Sequence, residues 1–134
     1  MKILFVCNGN VARSQEAEVF LNTLKNDEQS EAESGGINVK LAKPIDPLVI
    51  EVMNEIGCDI SKAQRKFVDE KMVENADLVI SFKPKDELPD YLQVHNNIRY
   101  WNVADPQHQL VEFHRQVRDN VRIRVSDLIN ELNI

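Results

Sequence analysis

KILFVCNGNVARSQEAEVFLNTLKN, Lys2 to Asn26, is the stretch whose reading decides the fold. Lys2 to Val6 is short, apolar and β-rich, the composition of a strand buried on both faces. Ala17, Phe20, Leu21 and Leu24 then recur at helical spacing. Cys7 to Arg13 is all that separates the two patterns, so the chain opens as strand, tight loop, helix.

The same alternation continues downstream. Glu31 to Gly35 reads as a second strand, Pro47 to Ile56 as a helix ended by Gly57, and Phe67 to Asn75 as a further helix. Asp77 to Phe82, DLVISF, is the third strand and Ile98 to Val103, IRYWNV, the fourth. A final helix is expected to bury Leu110, Phe113, Val117, Val121 and Leu128 on one stripe. Strands alternating with helices predict an α/β three-layer sandwich: a four-stranded parallel sheet, order 2-1-3-4, with helices on both faces.

A chain of 134 residues, 43% hydrophobic and 28% charged, with four glycines and five prolines, predicts one globular domain over residues 1–134. The formal net charge of −6 argues against nucleic acid or an anionic membrane as partner, since both select a basic face. Met1 leads straight into the first strand without a signal-peptide pattern, so a cytoplasmic monomer is expected. In that compartment Cys7 and Cys58 are expected to remain free thiols.

Ligands of such sheets bind beyond the carboxyl ends of the strands. Both CNGNVAR and the Asp105-Pro106 pair fall there. The loop offers the backbone N–H groups of Asn8, Gly9, Asn10, Val11, Ala12 and Arg13 to a tetrahedral oxyanion, with the positive end of a helix behind them. Arg13 adds a planar fork for two oxygens, and the same positive field favours the thiolate of Cys7. Ser14 is read both as a helix cap and as a hydroxyl supporting that thiolate, and Asn10 as a strut for the loop. Asp105 is the candidate proton donor to a leaving oxygen, its plainer role being to start a turn. Neither a metal nor an organic cofactor is called for.

A Cys-x5-Arg spacing alone is weak evidence. Its position between a strand and a helix, with Ser14 next and a late Asp-Pro, is not. CNGNVARSQEAE resembles the signature loop of the low-molecular-weight protein tyrosine phosphatases and of the thioredoxin-coupled arsenate reductases that share their fold. GCDIS (Gly57 to Ser61), DLVISF and VADP (Val103 to Pro106) follow in family order. The resemblance implies that Cys7 attacks phosphorus, Arg13 and the loop amides hold the phosphoryl oxygens, and Asp105 protonates the leaving group and then activates water.

The expected substrate is a phosphorylated protein or small phosphoester, or else arsenate together with a thiol donor. A self-contained reductase needs two further cysteines as a relay. ISFKPKDELPD has none where they belong, Ala12 stands where the loop would carry one, and Cys58 reads as a buried structural thiol. On the other side, QHQLVEFHRQVRDN lacks the pocket tyrosines of many phosphatases of the family, and Ile37 stands near a usual aromatic position. Phosphatase is therefore the first reading, reductase with an external thiol or thioredoxin the second, and a non-catalytic phosphate-binding module the third.

Pocket walls are expected from Ser34 to Asp46, Pro84 to Tyr91 and the stretch after Pro106. Arg115, Arg118 and Arg122 share a helix face and are read as solvated, paired with Glu112 and Asp119. His95, His108 and His114 lack metal-ligand spacing and show no link to Cys7.

Overall fold

The computed structural model describes residues 1–134. The elements run β1 (Lys2–Cys7), α1 (Arg13–Leu24), β2 (Glu31–Gly36), α2 (Pro47–Asn54), α3 (Glu70–Asn75), β3 (Leu78–Ser81), α4 (Asp90–Gln93), β4 (Ile98–Tyr100) and α5 (Val111–Leu132). All pairings are parallel and the order is β2-β1-β3-β4. The expected sheet is therefore the observed one.

Side chains of β1 alternate between two cores. Ile3, Phe5 and Cys7 join Leu78 and Ile80 against α1, α2 and α5, whereas Leu4 and Val6 join Val79, Leu88 and Leu92 on the opposite face, beside α3 and α4. Burial on both faces explains why this strand is apolar without alternation. It also places Cys7, 2% exposed, on the α1 and α5 side at the carboxyl edge of the sheet.

Several expectations are revised by the structure. The helix expected from Phe67 begins at Glu70, because Asp69 caps it by accepting from the Met72 N–H at 2.8 Å, while Phe67 makes a bridge with Gly36. The last strand pairs only over Ile98–Tyr100, although the Trp101 N–H still reaches the Ser81 carbonyl. Leu110 is 82% exposed rather than buried: it sits just before α5, whose buried stripe is His114, Val117, Arg118, Val121, Val125, Leu128 and Ile129. Pro84 to Tyr91 packs Leu88 into the core beside α3 and α4 and contributes nothing to the pocket at Cys7.

Of the three α5 arginines read as one solvated face, Arg115 and Arg118 are less solvated than their spacing suggests. Arg118 is 8% exposed and donates to the Val52 carbonyl and to Glu55 as well as to Asp119. Arg115 grips Glu55 and Glu112, so two helices are tied by ion pairs through one α2-end glutamate. No helix is long and apolar enough to cross a membrane.

Candidate active site

Four successive carbonyls of the loop after β1 are held by partners around its rim. Cys7 O accepts from Ile37 N at 3.1 Å, Asn8 O from Asn38 N at 2.8 Å, Gly9 O from Arg65 Nε at 3.0 Å, and Asn10 O from Gln15 Nε2 at 3.4 Å. The N–H groups of Gly9, Val11 and Ala12 have no acceptor within the chain. A loop with its carbonyls tied down and its N–H groups free is an anion cradle.

Asn10 is the residue that bends it. Its φ of 52° lies in the left-handed region, where asparagine is the best tolerated residue after glycine. The side chain is fully buried, and Oδ1 accepts from the Lys66 N–H at 3.0 Å and from Gln15 Nε2 at 3.0 Å. A backbone N–H can only donate, so the amide orientation is fixed, and Nδ2 donates to Ser14 Oγ at 2.8 Å and Ser34 Oγ at 3.0 Å. Ser34 passes its own proton to Glu18 Oε2 at 2.8 Å.

Close backbone approach also fixes Gly36. A Cβ there would lie 2.7 Å from Asn8 O and 2.9 Å from Asn10 N, so β2 passes the loop with no room for a side chain.

Cys7 Sγ lies 2.9 Å from Ser14 Oγ and accepts from the Asn10 N–H at 3.3 Å. Ser14 is the second residue of α1 and caps nothing. The helix starts after Ala12 without a side-chain cap, and the serine hydroxyl is spent on Asn10 and Cys7 instead.

Arg13, 6% exposed, anchors Nη1 on the Val103 carbonyl at 3.0 Å and the Phe82 carbonyl at 3.4 Å, and its guanidinium carbon is 5.8 Å from the centre of the Phe82 ring. Nη2 faces Asp105 Oδ2 at 3.5 Å. Asp105 Oδ1 accepts from the Gln107 N–H at 3.0 Å, so one carboxylate oxygen builds the turn and the other is turned to the pocket. The turn-starting role of this aspartate is thus observed, and it leaves Oδ2 unengaged by the turn.

Cys7, the loop, Arg13 and Asp105 line one pocket of about 330 Å³, with Lys40, Lys43, Pro44 and Arg65 on one side and Pro106, His108 and His114 on another. No phenylalanine, tyrosine or tryptophan lines it. His114, read from spacing as unconnected to Cys7, is part of this wall: it is 1% exposed, with neither ring nitrogen hydrogen-bonded. Its signal was present, because it shares the helical face of Val117 and Val121 and so faces inward.

Glu16 was overlooked as well. It is fully buried, both carboxyl oxygens lack partners, and burial pushes it up to about 8 against the opposing pull of Arg118 and Arg13. Glu18 is raised too, again chiefly by burial, with Ser34 and Lys66 opposing.

Cys58 is half-buried and packs against the larger core beyond the carboxyl end of α2, where its N–H bonds the Met53 carbonyl next to Gly57, whose φ is +81°. The amino end of the same helix, Asp46 and Val49, is what lines the pocket. An eight-residue helix is roughly 12 Å long, about twice the Cα separation of a disulfide, so Cys58 stands away from Cys7.

A family model described as "Low molecular weight phosphotyrosine protein phosphatase" matches residues 2–134. The chain belongs to this low-molecular-weight phosphatase family. Its members are cysteine-based phosphatases, and proteins named arsenate reductase stand within it. "Arsenate reductase 2" of Staphylococcus haemolyticus (strain JCSC1435) is 31% identical over 124 residues, 92% of each chain. Among solved structures, the low molecular weight protein tyrosine phosphatase from T. tengcongensis superposes with a TM-score of 0.85 at 28% identity, covering 98% of this chain and 99% of that one. An arsenate reductase in the phosphate-binding state superposes at 0.83 with 32% identity, covering 97% of each.

Proposed function

We propose that the chain hydrolyses phosphate monoesters through a cysteinyl-phosphate intermediate. The observation that carries this reading is the convergence of Cys7 Sγ, the unpartnered loop N–H groups, Arg13 and Asp105 on one pocket. Nucleophile, oxyanion donors and proton carrier are the three parts the chemistry requires.

In the first step the Cys7 thiolate forms a bond to phosphorus as the P–O bond to the leaving group breaks. Protonated Asp105 delivers its proton to the departing oxygen, giving the free alcohol. In the second step water attacks phosphorus, its proton passes to the Asp105 carboxylate, and the P–S bond breaks. Inorganic phosphate and the Cys7 thiolate are released, so the cycle closes without a redox change. Arg13 and the loop N–H groups hold the equatorial oxygens throughout, and Ser14 receives the returning sulfur charge.

Arsenate reduction is the second reading, favoured by the relatives named arsenate reductase at 31% and 32% identity. Arsenate has the shape and charge of phosphate and suits the same cradle. With Cys58 beyond the far end of α2, the thiol that releases arsenite would come from outside the chain.

A side-by-side assay of para-nitrophenyl phosphate hydrolysis and thiol-coupled arsenate reduction, with Cys7→Ser as control, tests both. Hydrolysis abolished by Cys7→Ser supports the first reading. Reduction without hydrolysis replaces it with the second, and phosphate binding without either turnover leaves a binding module.

A further inference from the structure

Lys40 and Lys43 sit on one turn, the Lys43 N–H donating to the Lys40 carbonyl at 3.0 Å, and both line the pocket beside Arg65. None of these three cations has a carboxylate partner. They give one lip of the pocket a local positive charge in a chain whose net charge is −6. Gathered like charges repel, and an anion placed among them relieves that cost.

The nearby carboxylates are otherwise engaged. Asp46 caps α2, accepting from the Leu48 N–H at 2.9 Å, and Asp105 faces Arg13.

Arg65 fixes the lip relative to the loop. Its Nε donates to Gly9 O at 3.0 Å, and its Nη1 donates to the carbonyls of Lys40 at 3.1 Å and Lys43 at 3.2 Å. One guanidinium therefore spans from the anion cradle to the turn carrying both lysines, and it uses their backbone, leaving their ammonium groups free. The pocket, about 330 Å³, has room for groups beyond a single phosphoryl.

We propose that Lys40 and Lys43, positioned by Arg65, form a specificity subsite for acidic side chains flanking the phosphorylated residue of a peptide. The proposal rests on the hydrolase reading for its chemistry, but not for its binding. The occupant follows from charge complementarity: a peptide with Asp or Glu beside the phosphoryl group presents anions to both halves of the site.

The test uses non-hydrolysable phosphonate peptides in a matched pair, one with Glu flanks and one with Gln, bound to the full chain and followed by calorimetry. The Glu-flanked peptide should bind about tenfold tighter at low salt, as expected for two or three exposed ion pairs. The advantage should shrink at about 1 M salt, where the Debye length is about 3 Å. Lys40→Glu/Lys43→Glu should abolish or invert it, read as the ratio of Glu-flanked to Gln-flanked affinity within the variant, because the added carboxylates also repel the phosphonate common to both peptides. Lys40→Met/Lys43→Met, which keeps the side-chain length, should abolish it without inversion. Equal affinities in the unmodified chain, or an advantage that survives in the double variants, would overturn the subsite. Hydrolysis of the matched phosphopeptides is scored separately: if no ester is turned over, the hydrolase reading falls while the binding comparison still decides the lip.

Discussion

The Asn10 side-chain amide donates to the Ser14 hydroxyl at 2.8 Å, and this leaves the serine proton free for a further acceptor. Because Ser14 Oγ accepts from Asn10, its own proton is available to Cys7 Sγ, 2.9 Å away. The chain of donors starts at an atom that has no alternative, the Lys66 backbone N–H on Asn10 Oδ1. It ends on the sulfur. A residue 59 positions along the chain from Cys7 thereby helps to orient the hydroxyl that supports it.

Ser14→Ala removes that last donor. A hydrogen bond to a charged group is worth about 1.5–3 kcal/mol, so kcat for phosphate ester hydrolysis should fall about tenfold to a hundredfold. KM should change little, and alkylation of Cys7 by iodoacetamide at neutral pH should slow in parallel. Unchanged alkylation with a lowered kcat would show that the serine acts elsewhere.

Asp105→Asn keeps the oxygen that accepts from Gln107 N–H but loses the transferable proton and the carboxylate charge facing Arg13 Nη2. General acid catalysis contributes about 10²–10⁴ in rate, and the loss should be graded by leaving group: largest for alkyl phosphates, smallest for para-nitrophenyl phosphate, whose phenolate needs no proton. Orthophosphate affinity, measured by calorimetry, should be retained. A uniform loss across leaving groups would instead assign Asp105 to holding Arg13.

Cys58→Ser should leave ester hydrolysis unchanged, and should equally leave unchanged any arsenate reduction supported by an added thiol. The half-buried thiol packs against the core at the far end of α2, so the variant should cost only about 1 kcal/mol in urea unfolding. Loss of arsenate turnover with folding intact would restore a relay role for this cysteine.

The sheet and its order were legible because each strand is short, apolar and bounded by a helix pattern, and parallel crossovers leave few arrangements. The meeting of Cys7, Arg13 and Asp105 followed from the same topology, since the segments that carry them leave the carboxyl ends of β1 and β4. What escaped were polar residues on apolar faces. His114 and Glu16 are polar residues on buried helix faces, as Arg118 is on α5 and Arg13, Ser14 and Gln15 are on α1, and a periodicity reading assigns such residues to solvent by their chemistry instead of to the core by their phase. Leu110 is the converse: apolar, adjacent to the stripe, yet one residue outside the helix and exposed. Lys66 and Arg65 were invisible for another reason, because they act on the loop through a backbone N–H and through backbone carbonyls, which no side-chain motif records.

Glu16 makes the clearest prediction about stability. Burial raises its carboxyl from an ordinary 4.5 to about 8, the nearby Asp119 adding to the rise and Arg118 and Arg13 opposing it. Between those values the folded chain holds a proton that the unfolded chain has released, so stability falls as pH rises, by at most about 1.4 kcal/mol per unit. The contribution is complete below about pH 4.5 and exhausted above about pH 8. Glu16→Gln cannot ionise and should flatten this dependence. In urea unfolding at acidic, neutral and mildly alkaline pH, the variant should gain on the unmodified chain as pH increases. A gap that stays constant, or that narrows toward alkaline pH, would mean the carboxylate is ionised in the fold and paired with Arg118 or Arg13.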